Sequence, residues 1–177
     1  IGFCAYDRYG HPIVYEKVAH TLSASPASPL FSSRGLGSSR ACRVPRSYVN
    51  VVDTDPEELL KGRAVCTEAF QALKALSSAS AADHESTVLK HVYVVDMQDV
   101  RLRMVTSRVR RRFQVIMTTI EAVYPEVAWR TYVVNAPVYL TIIWTVVRSW
   151  LHPNTANKVR ILGTDTKYIR KTLLDDG

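Results

Sequence analysis

Three polar residues, Glu126, Thr155 and Lys158, sit at the edges of the most informative stretch of the chain, Tyr124 to Gly163. An ionised carboxylate only accepts hydrogen bonds, which suits it to ring hydroxyls. A lysine ammonium is a compact charge with three donors, which suits it to phosphate. Between these residues lies an apolar helical segment, too greasy for a surface and too short for a membrane. That combination fits a protein that hides a greasy ligand. Each residue alone also has an ordinary reading: Glu126 as a solvated residue after a helix, Thr155 as a helix cap, Lys158 as an exposed strand-edge residue.

Catalytic constellations are missing. The chain has no G-x-S-x-G elbow, no H-E-x-x-H and no P-loop. Its five histidines (His11, His20, His84, His91 and His152) lack metal-ligand spacing. His91 falls in an apolar run and reads as a satisfied core histidine. The three cysteines, Cys4, Cys42 and Cys66, are widely spaced with no C-x-x-C pair, so neither a disulfide framework nor a zinc site is indicated. A reducing, intracellular setting is the expectation. Gly35-Leu36-Gly37 lies in an unpatterned stretch and is no dinucleotide fingerprint. Asp96 ends an apolar run with no nucleophile in a motif nearby and reads as a turn or cap residue. The expectation is therefore no enzyme, no metal and no cofactor. An α/β hydrolase is the enzyme alternative, and the missing elbow counts against it.

The 177 residues, 47% apolar, suit one domain with a sizeable core, and a net charge of +7 favours an anionic partner, phospholipid surface or nucleic acid. The densest basic run is Arg101, Arg103, Arg108, Arg110, Arg111 and Arg112. It flanks the apolar stripe of a helix and has no aromatic stacking platform. A solvated face with snorkelling stems is the first reading. Contact with anionic head groups is the second, with Arg108, Arg111 and Arg112 as membrane-surface candidates. Nucleic acid is a distant third. The chain begins at Ile1 without a signal-peptide pattern and stops just after a helix-like segment, so it reads as a fragment of a longer protein.

The elements that must position these residues follow from periodicity. Tyr9-Gly10-His11-Pro12 is turn chemistry, and a strand follows at Ile13 to Glu16. Residues 20–48 are rich in Ser, Ala, Pro, Gly and Arg and read as a flexible low-complexity insertion. A helix starts at Pro56, capped by Asp53, Thr54 or Asp55, and carries apolar residues at helical spacing to Leu76 before a polar loop, SSASAADHEST. Val88 to Val95 reads as a buried strand. A helix from about Met104 to Val123 carries the stripe Val105, Val109, Phe113, Ile116, Ile120 and Val123. Thr131 to Asn135 and Val159 to Leu162 are strands, and Thr166 to Leu174 is a helix. Alternation of strands and helices implies an α/β fold with a mainly parallel, mixed sheet flanked by helices.

The segment Val138 to Leu151 is half β-branched, yet its periodicity is helical. Its apolar residues cover roughly 200° of arc, where a helix packed once against a sheet needs only about 100°. Fourteen residues give about 21 Å of helix against about 30 Å of bilayer core, and Arg148 argues against insertion as well. Two readings stand: a helix buried between the sheet and a neighbour, or the wall or lid of a pocket.

Four segments resemble the CRAL-TRIO lipid-binding domain, the family of the yeast phosphatidylinositol/phosphatidylcholine transfer protein. YDRYGHPIVYEK is similar to the family's D-x-x-G-R-P-V turn, with His11 where Arg is commoner. HVYVVDMQDV is similar to its strand ending in Asp, YPEVAWRTYVVNAP to its YPE…NAP signature, and WLHPNTANKVRILG to its L-x-P-x-T-x-x-K-I-x-x-L-G segment. The resemblance is weak over 20–87. It implies a single lipid-binding domain over residues 1–177, with a hydrophobic pocket closed by a gating helix. Tyr139, Ile142, Ile143, Val146, Val147 and Trp150 would line or gate that pocket. It further implies that Glu126 and Lys158 grip an inositol ring and its phosphate, with Thr155 on the phosphate. Phosphatidylcholine binders place small hydroxyl residues where this chain has His91 and Tyr93, which counts against a choline lipid. The family's N-terminal helical domain, which adds basic head-group contacts, is absent from this chain.

The resulting expectation is a non-enzymatic phospholipid carrier. It would bind phosphatidylinositol or a phosphoinositide, work as a cytoplasmic monomer and touch membranes peripherally and transiently. The alternatives are a regulatory domain sensing a tocopherol- or retinal-like hydrophobe, and a basic nucleic-acid-binding module.

Overall fold

Asp7 writes the first turn. Its carboxylate accepts the amide hydrogens of Tyr9 (2.9 Å) and His11 (2.7 Å) and contacts the His11 ring, while Gly10 takes φ 84°, a left-handed conformation that glycine adopts without strain. The turn joins β1 (Gly2–Tyr6) to β2 (Pro12–Lys17) as an antiparallel hairpin. The structure, a computed structural model, describes residues 1–22, 54–80 and 90–176.

From β2 onward every neighbouring pair is parallel. β2 pairs with β3 (His91–Asp96), β3 with β4 (Ala128–Val134) and β4 with β5 (Val159–Ile161), giving the order β1-β2-β3-β4-β5. Parallel neighbours need long crossovers. These contain α1 (Val18–Thr21) and α2 (Pro56–Ser80), then α3 (Ser107–Val123), then α4 (Leu140–Arg148) and α5 (Pro153–Asn157). α6 (Thr166–Asp176) follows β5. The expected α/β fold with a mixed, mainly parallel sheet is the fold observed.

Alternation along the strands assigns the two faces. Val133 of β4, with Val95, Val159 and Ile161, meets Val109 and Ile116 of α3, Leu140 of α4 and Leu59 of α2 in the main core. Val14 and Tyr93 meet Cys66 and Phe70 of α2 on the same side. Val92, Val94, Tyr132 and Val134 face the other way, onto Ile169 and Leu173 of α6.

Several boundaries differ from expectation. β1 and α5 are additional elements. The presumed insertion does not begin at residue 20: His20 and Thr21 close α1, and Leu22 lies in the core. Residues 23–48 of that segment lie outside the described residues, as do Asp53 and residues 81–89. Asp55 caps α2, its side chain accepting from the Glu57 amide (2.9 Å), and the helix runs four residues past Leu76 into the expected loop. A 3₁₀ turn, Leu102–Met104, precedes α3, whose start is capped by Thr106. Val105 is therefore not on α3, and Val123, expected on its apolar stripe, is exposed.

One buried ion pair clamps α2 to the sheet. Glu16 of β2 and Arg63 of α2 are 4% and 7% exposed and bond in a fork, Nη2 to Oε1 at 2.8 Å and Nη1 to Oε2 at 3.0 Å. Thr21 donates to Glu16 at 2.9 Å and the Tyr93 hydroxyl donates to it as well. Burial alone would raise the Glu16 carboxyl. The charge and hydrogen bonds of Arg63, aided by Tyr93, overcome that and hold it at about 2. The Arg63 Nε has no hydrogen-bond partner among the described residues.

Removing one member of a buried pair strands the other charge, typically at about 3–5 kcal/mol. Arg63→Met is expected to lower unfolding stability by that amount in urea titration. Because Glu16 sits below its ordinary value of 4.5, its contribution is complete above that pH and drains away as pH falls toward about 2. Glu16→Gln is expected to be less stable at neutral pH and to lack that segment of acid sensitivity.

Candidate functional site

Parallel register lines up the strand starts. Lys90 directly precedes β3, Glu126 stands two residues before β4, and Lys158 directly precedes β5. The main chain ties the three together: the His91 amide donates to the Val127 carbonyl (3.0 Å) and the Thr131 amide to the Lys158 carbonyl (3.1 Å). The side chains converge there. Glu126 Oε2 lies 2.5 Å from Lys158 Nζ and 3.4 Å from Lys90 Nζ. The hydrogen bond and charge of Lys158 hold the Glu126 carboxyl below its ordinary range, with Lys90 adding to the effect. Two ammoniums on one carboxylate leave a net positive charge in a site open to water. Glu126 itself has φ 61°, an uncommon conformation for a residue with a side chain.

Thr155 lies within α5, one turn before Lys158, and its carbonyl accepts from the Lys158 amide (3.1 Å). Its hydroxyl makes no hydrogen bond among the described residues. α5 is set in place by Pro153 at its first position and by His152, whose amide donates to both oxygens of Glu121 on α3 (3.0 and 3.1 Å). Glu126 and Lys158 are thus brought into contact, and Thr155 stands beside them. Lys90 is the member that sequence reasoning missed. It fell inside the expected strand Val88 to Val95, and β3 starts only at His91.

The opposite edge of the sheet is tied by hydrogen bonds. Asp96, at the end of β3, accepts from the Asn135 side chain (2.8 Å), the Gln98 amide (2.8 Å) and the Tyr15 hydroxyl. These bonds outweigh burial and hold its carboxyl low. Asp96 therefore serves as a turn and tie residue. Asn135 takes φ 53° and turns the chain through Pro137 into α4.

α4 is shorter than expected. It has nine residues, and Ser149, Trp150 and Leu151 form turns. Of the gating candidates, Ile143, Val147 and Trp150 are half-buried, and Ile143 packs on the main core. Tyr139 donates to the Val100 carbonyl at 2.6 Å. Ile142 and Val146 are exposed. Leu140 is the buried anchor.

Two cavities stand out among the described residues. One of about 190 Å³ lies between α2 and α3, lined by Leu59, Leu60, Val115 and Ile116 among others. The other, about 120 Å³, lies between the sheet and α6 near Trp129 and Leu173. Drug-sized ligands occupy about 300–1,000 Å³. Both cavities fall short of a phospholipid, and neither is lined by α4. The expected pocket beneath that helix is instead taken up in this conformation by Leu140 and Ile143 against Val133, Val159 and Ile161.

The remaining candidates are placed as follows. Arg108 and Arg111 are exposed, while Arg112 is half-buried and donates to the Thr54 carbonyl (2.9 Å), pinning the start of α2. His91 is buried in the core, and its Nδ1 has no partner among the described residues. Burial, then the charge of Lys74, pushes it down to about 3. Tyr93 is committed to Glu16. Among the described residues no cluster fits a metal ion, and no helix is long and apolar enough to cross a membrane.

A family model described as the CRAL/TRIO domain matches residues 1–176. Two curated relatives, Protein real-time of Drosophila pseudoobscura pseudoobscura and of Drosophila melanogaster, are each 28% identical over 109 residues, 62% of this chain. The matched stretch spans only 16% of the length of those relatives. The crystal structure of Sfh5 aligns with a TM-score of 0.59 over 92% of this chain and 48% of its own, at 13% identity, a likeness of fold.

The pairing at the amino edge has a direct readout. Lys158→Ala is expected to return the Glu126 carboxyl toward its ordinary value in a carbon-detected NMR titration, and Lys90→Ala to move it less.

Proposed function

The chain belongs to the CRAL/TRIO domain family, whose domains bind lipophilic ligands, and on that premise we propose that it carries a phospholipid, phosphatidylinositol or a phosphoinositide, between membranes. The observation that supports this reading is the open cluster of Lys158, Glu126 and Lys90 at the amino edge of the sheet. Its ion pairs are exposed to water and screened, so a lipid phosphate can take over the lysines. The released carboxylate then accepts hydrogen bonds from ring hydroxyls. Thr155, beside Lys158, adds a donor for phosphate.

The tails run from this edge along the sheet. A six-residue strand spans about 20 Å, on the order of an acyl chain. Room for them comes from displacing α4, with Tyr139, Ile142, Ile143, Val146, Val147 and Trp150 as the moving wall. The buried Leu140 holds it by about 1.5–3 kcal/mol and the half-buried Ile143 by less. Enclosing two long chains at about 0.8 kcal/mol per methylene is worth on the order of 20 kcal/mol, so tails outcompete the anchors. α4 is also a weak helix on its own account. Six of its nine residues are β-branched and Tyr139 provides no side-chain cap.

In this reading the protein is a cytoplasmic monomer that meets membranes transiently and works without catalysis or a cofactor. The closed Glu126–Lys158 pair supports a second reading, a sensor of a neutral hydrophobe such as a tocopherol- or retinal-like molecule, in which the charges satisfy each other and no head group is gripped. Mass spectrometry of the copurified ligand separates the two.

Transfer of labelled phosphatidylinositol between vesicles tests the head-group assignment. Lys158→Ala and Glu126→Ala are each expected to slow it at least about tenfold, as befits a lost charge-assisted hydrogen bond of about 1.5–3 kcal/mol. Transfer by both variants at the wild-type rate would refute the assignment.

A further inference from the structure

The two lysines of the amino-edge cluster are not equivalent. Both address one oxygen of Glu126, Oε2, Lys158 at 2.5 Å and Lys90 at 3.4 Å. A full charge-assisted bond between an ammonium and a carboxylate measures about 2.7–2.9 Å. Lys158 is inside that distance, whereas Lys90 stands within reach of such a bond without having closed it. Oε1 of Glu126 accepts no hydrogen bond among the described residues, and neither ammonium touches another acid there. Sheet order explains the arrangement. Lys90 directly precedes β3 and Lys158 directly precedes β5, and β4, which follows Glu126, runs between those strands. The carboxylate therefore has one cation on each flank.

Two flanking cations change how the cluster opens for a phosphate. With Lys158 alone, a phosphate that took the ammonium would leave the carboxylate beside a second anion and without a cation of its own. Two anions at such range disfavour each other's charged forms, and the weaker acid takes up a proton. A lysine on the opposite flank removes that penalty. As Lys158 turns to the phosphate, Lys90 closes the remaining distance to Glu126, and each anion keeps one cation. Among the described residues Lys158 and Lys90 are the cations that act on the Glu126 carboxyl. The neighbouring acids are occupied elsewhere: Glu121 of α3 accepts the His152 amide, and Glu68 of α2 accepts the Tyr124 hydroxyl.

We propose that Lys90 is a positioning residue: it receives Glu126 when the lipid phosphate draws Lys158 away, and so keeps the carboxylate ionised and available to the ring hydroxyls. A limit on head-group charge follows. Two ammoniums and one carboxylate sum to one positive charge, which the single negative charge of a phosphodiester matches. A phosphate monoester on the ring adds about 1.5–2 negative charges, and no cation of the cluster is left for it. The head group selected is a singly charged, polyhydroxylated phosphodiester, phosphatidylinositol in preference to its phosphorylated forms. The inference rests on the head-group assignment made above, to which it adds a residue and a charge limit.

The test is capture of labelled lipid by the 177-residue chain from phosphatidylcholine vesicles doped with phosphatidylinositol or with phosphatidylinositol 4-phosphate. Lipid is counted on the protein after its separation from the vesicles, between about pH 4.5 and about pH 7.5. K90A is expected to capture at least about tenfold less phosphatidylinositol than wild type at the upper pH. In that variant the bound carboxyl lies above its value in the free protein, so binding takes up a proton. The ratio of K90A to wild type is therefore expected to rise as pH falls. K90R keeps the charge and is expected to follow wild type at every pH. With E126Q there is no charge to receive, so adding K90A to E126Q is expected to cost at most about twofold. Wild type is expected to capture phosphatidylinositol 4-phosphate at least about tenfold less than phosphatidylinositol. Capture by K90A at the wild-type level would overturn the inference, and so would a loss that is the same at every pH or undiminished in E126Q. Equal capture of the two lipids by wild type would overturn the charge limit. Loss in K158A with K90A unchanged would overturn the role of Lys90 alone, whereas wild-type capture by both K158A and E126A would overturn the head-group assignment with it.

Discussion

Parallel pairing of β3, β4 and β5 is the constraint from which the other features follow. Each strand starts at one edge of the sheet and ends at the other, so residues far apart in sequence meet according to their place in the strand. Lys90, Glu126 and Lys158 converge because each stands just ahead of its strand. Asp96 and Asn135 meet because both stand at strand ends. The same polarity puts the cluster of Lys90, Glu126 and Lys158 at the amino edge and the start of α4 with the Arg101–Arg103 turn at the carboxyl edge, about one strand length away.

The clamp of Glu16 and Arg63 secures one side of this arrangement, and the weak seating of α4 leaves the other side free. α2 is fixed by a forked, buried ion pair that Thr21 and Tyr93 complete. α4, on the same face, has Leu140 as its one buried residue and no capping side chain. The carrier role proposed above calls for this asymmetry, with a frame that survives ligand exchange and a wall that gives way.

Much of the fold was legible because parallel strands buried on both faces read as apolar runs and the helices between them keep their period. The hairpin turn was legible from Asp7 and Gly10, but β1 was not. Its five residues carry a bulge between Phe3 and Ala5 that breaks alternation. α5 escaped notice because five residues show no period. The length of α4 was overestimated, since apolar content continues through Trp150 and Leu151 although the helical hydrogen bonds stop. At the site, Glu126 and Lys158 were legible through motifs resembling a known family. Their mutual contact, and the arrival of Lys90, depend on register, which no local pattern encodes. The pocket expected under α4 was inferred from its broad apolar arc. An arc reports surplus grease without saying whether it faces a cavity or solvent, and here Val138 and Ile142 face outward.

The hydroxyls along α4 that bond to their own backbone have a bearing on motion. A helix that passes from water into lipid ordinarily has to strip its polar side chains of hydration, and that stripping is the barrier. Thr141, Thr145 and Ser149 have already traded water for their own backbone. Their bonded hydroxyls lower the cost of dehydrating this part of the chain, whereas the exposed Arg148 at the end of α4 still has to keep its charge hydrated.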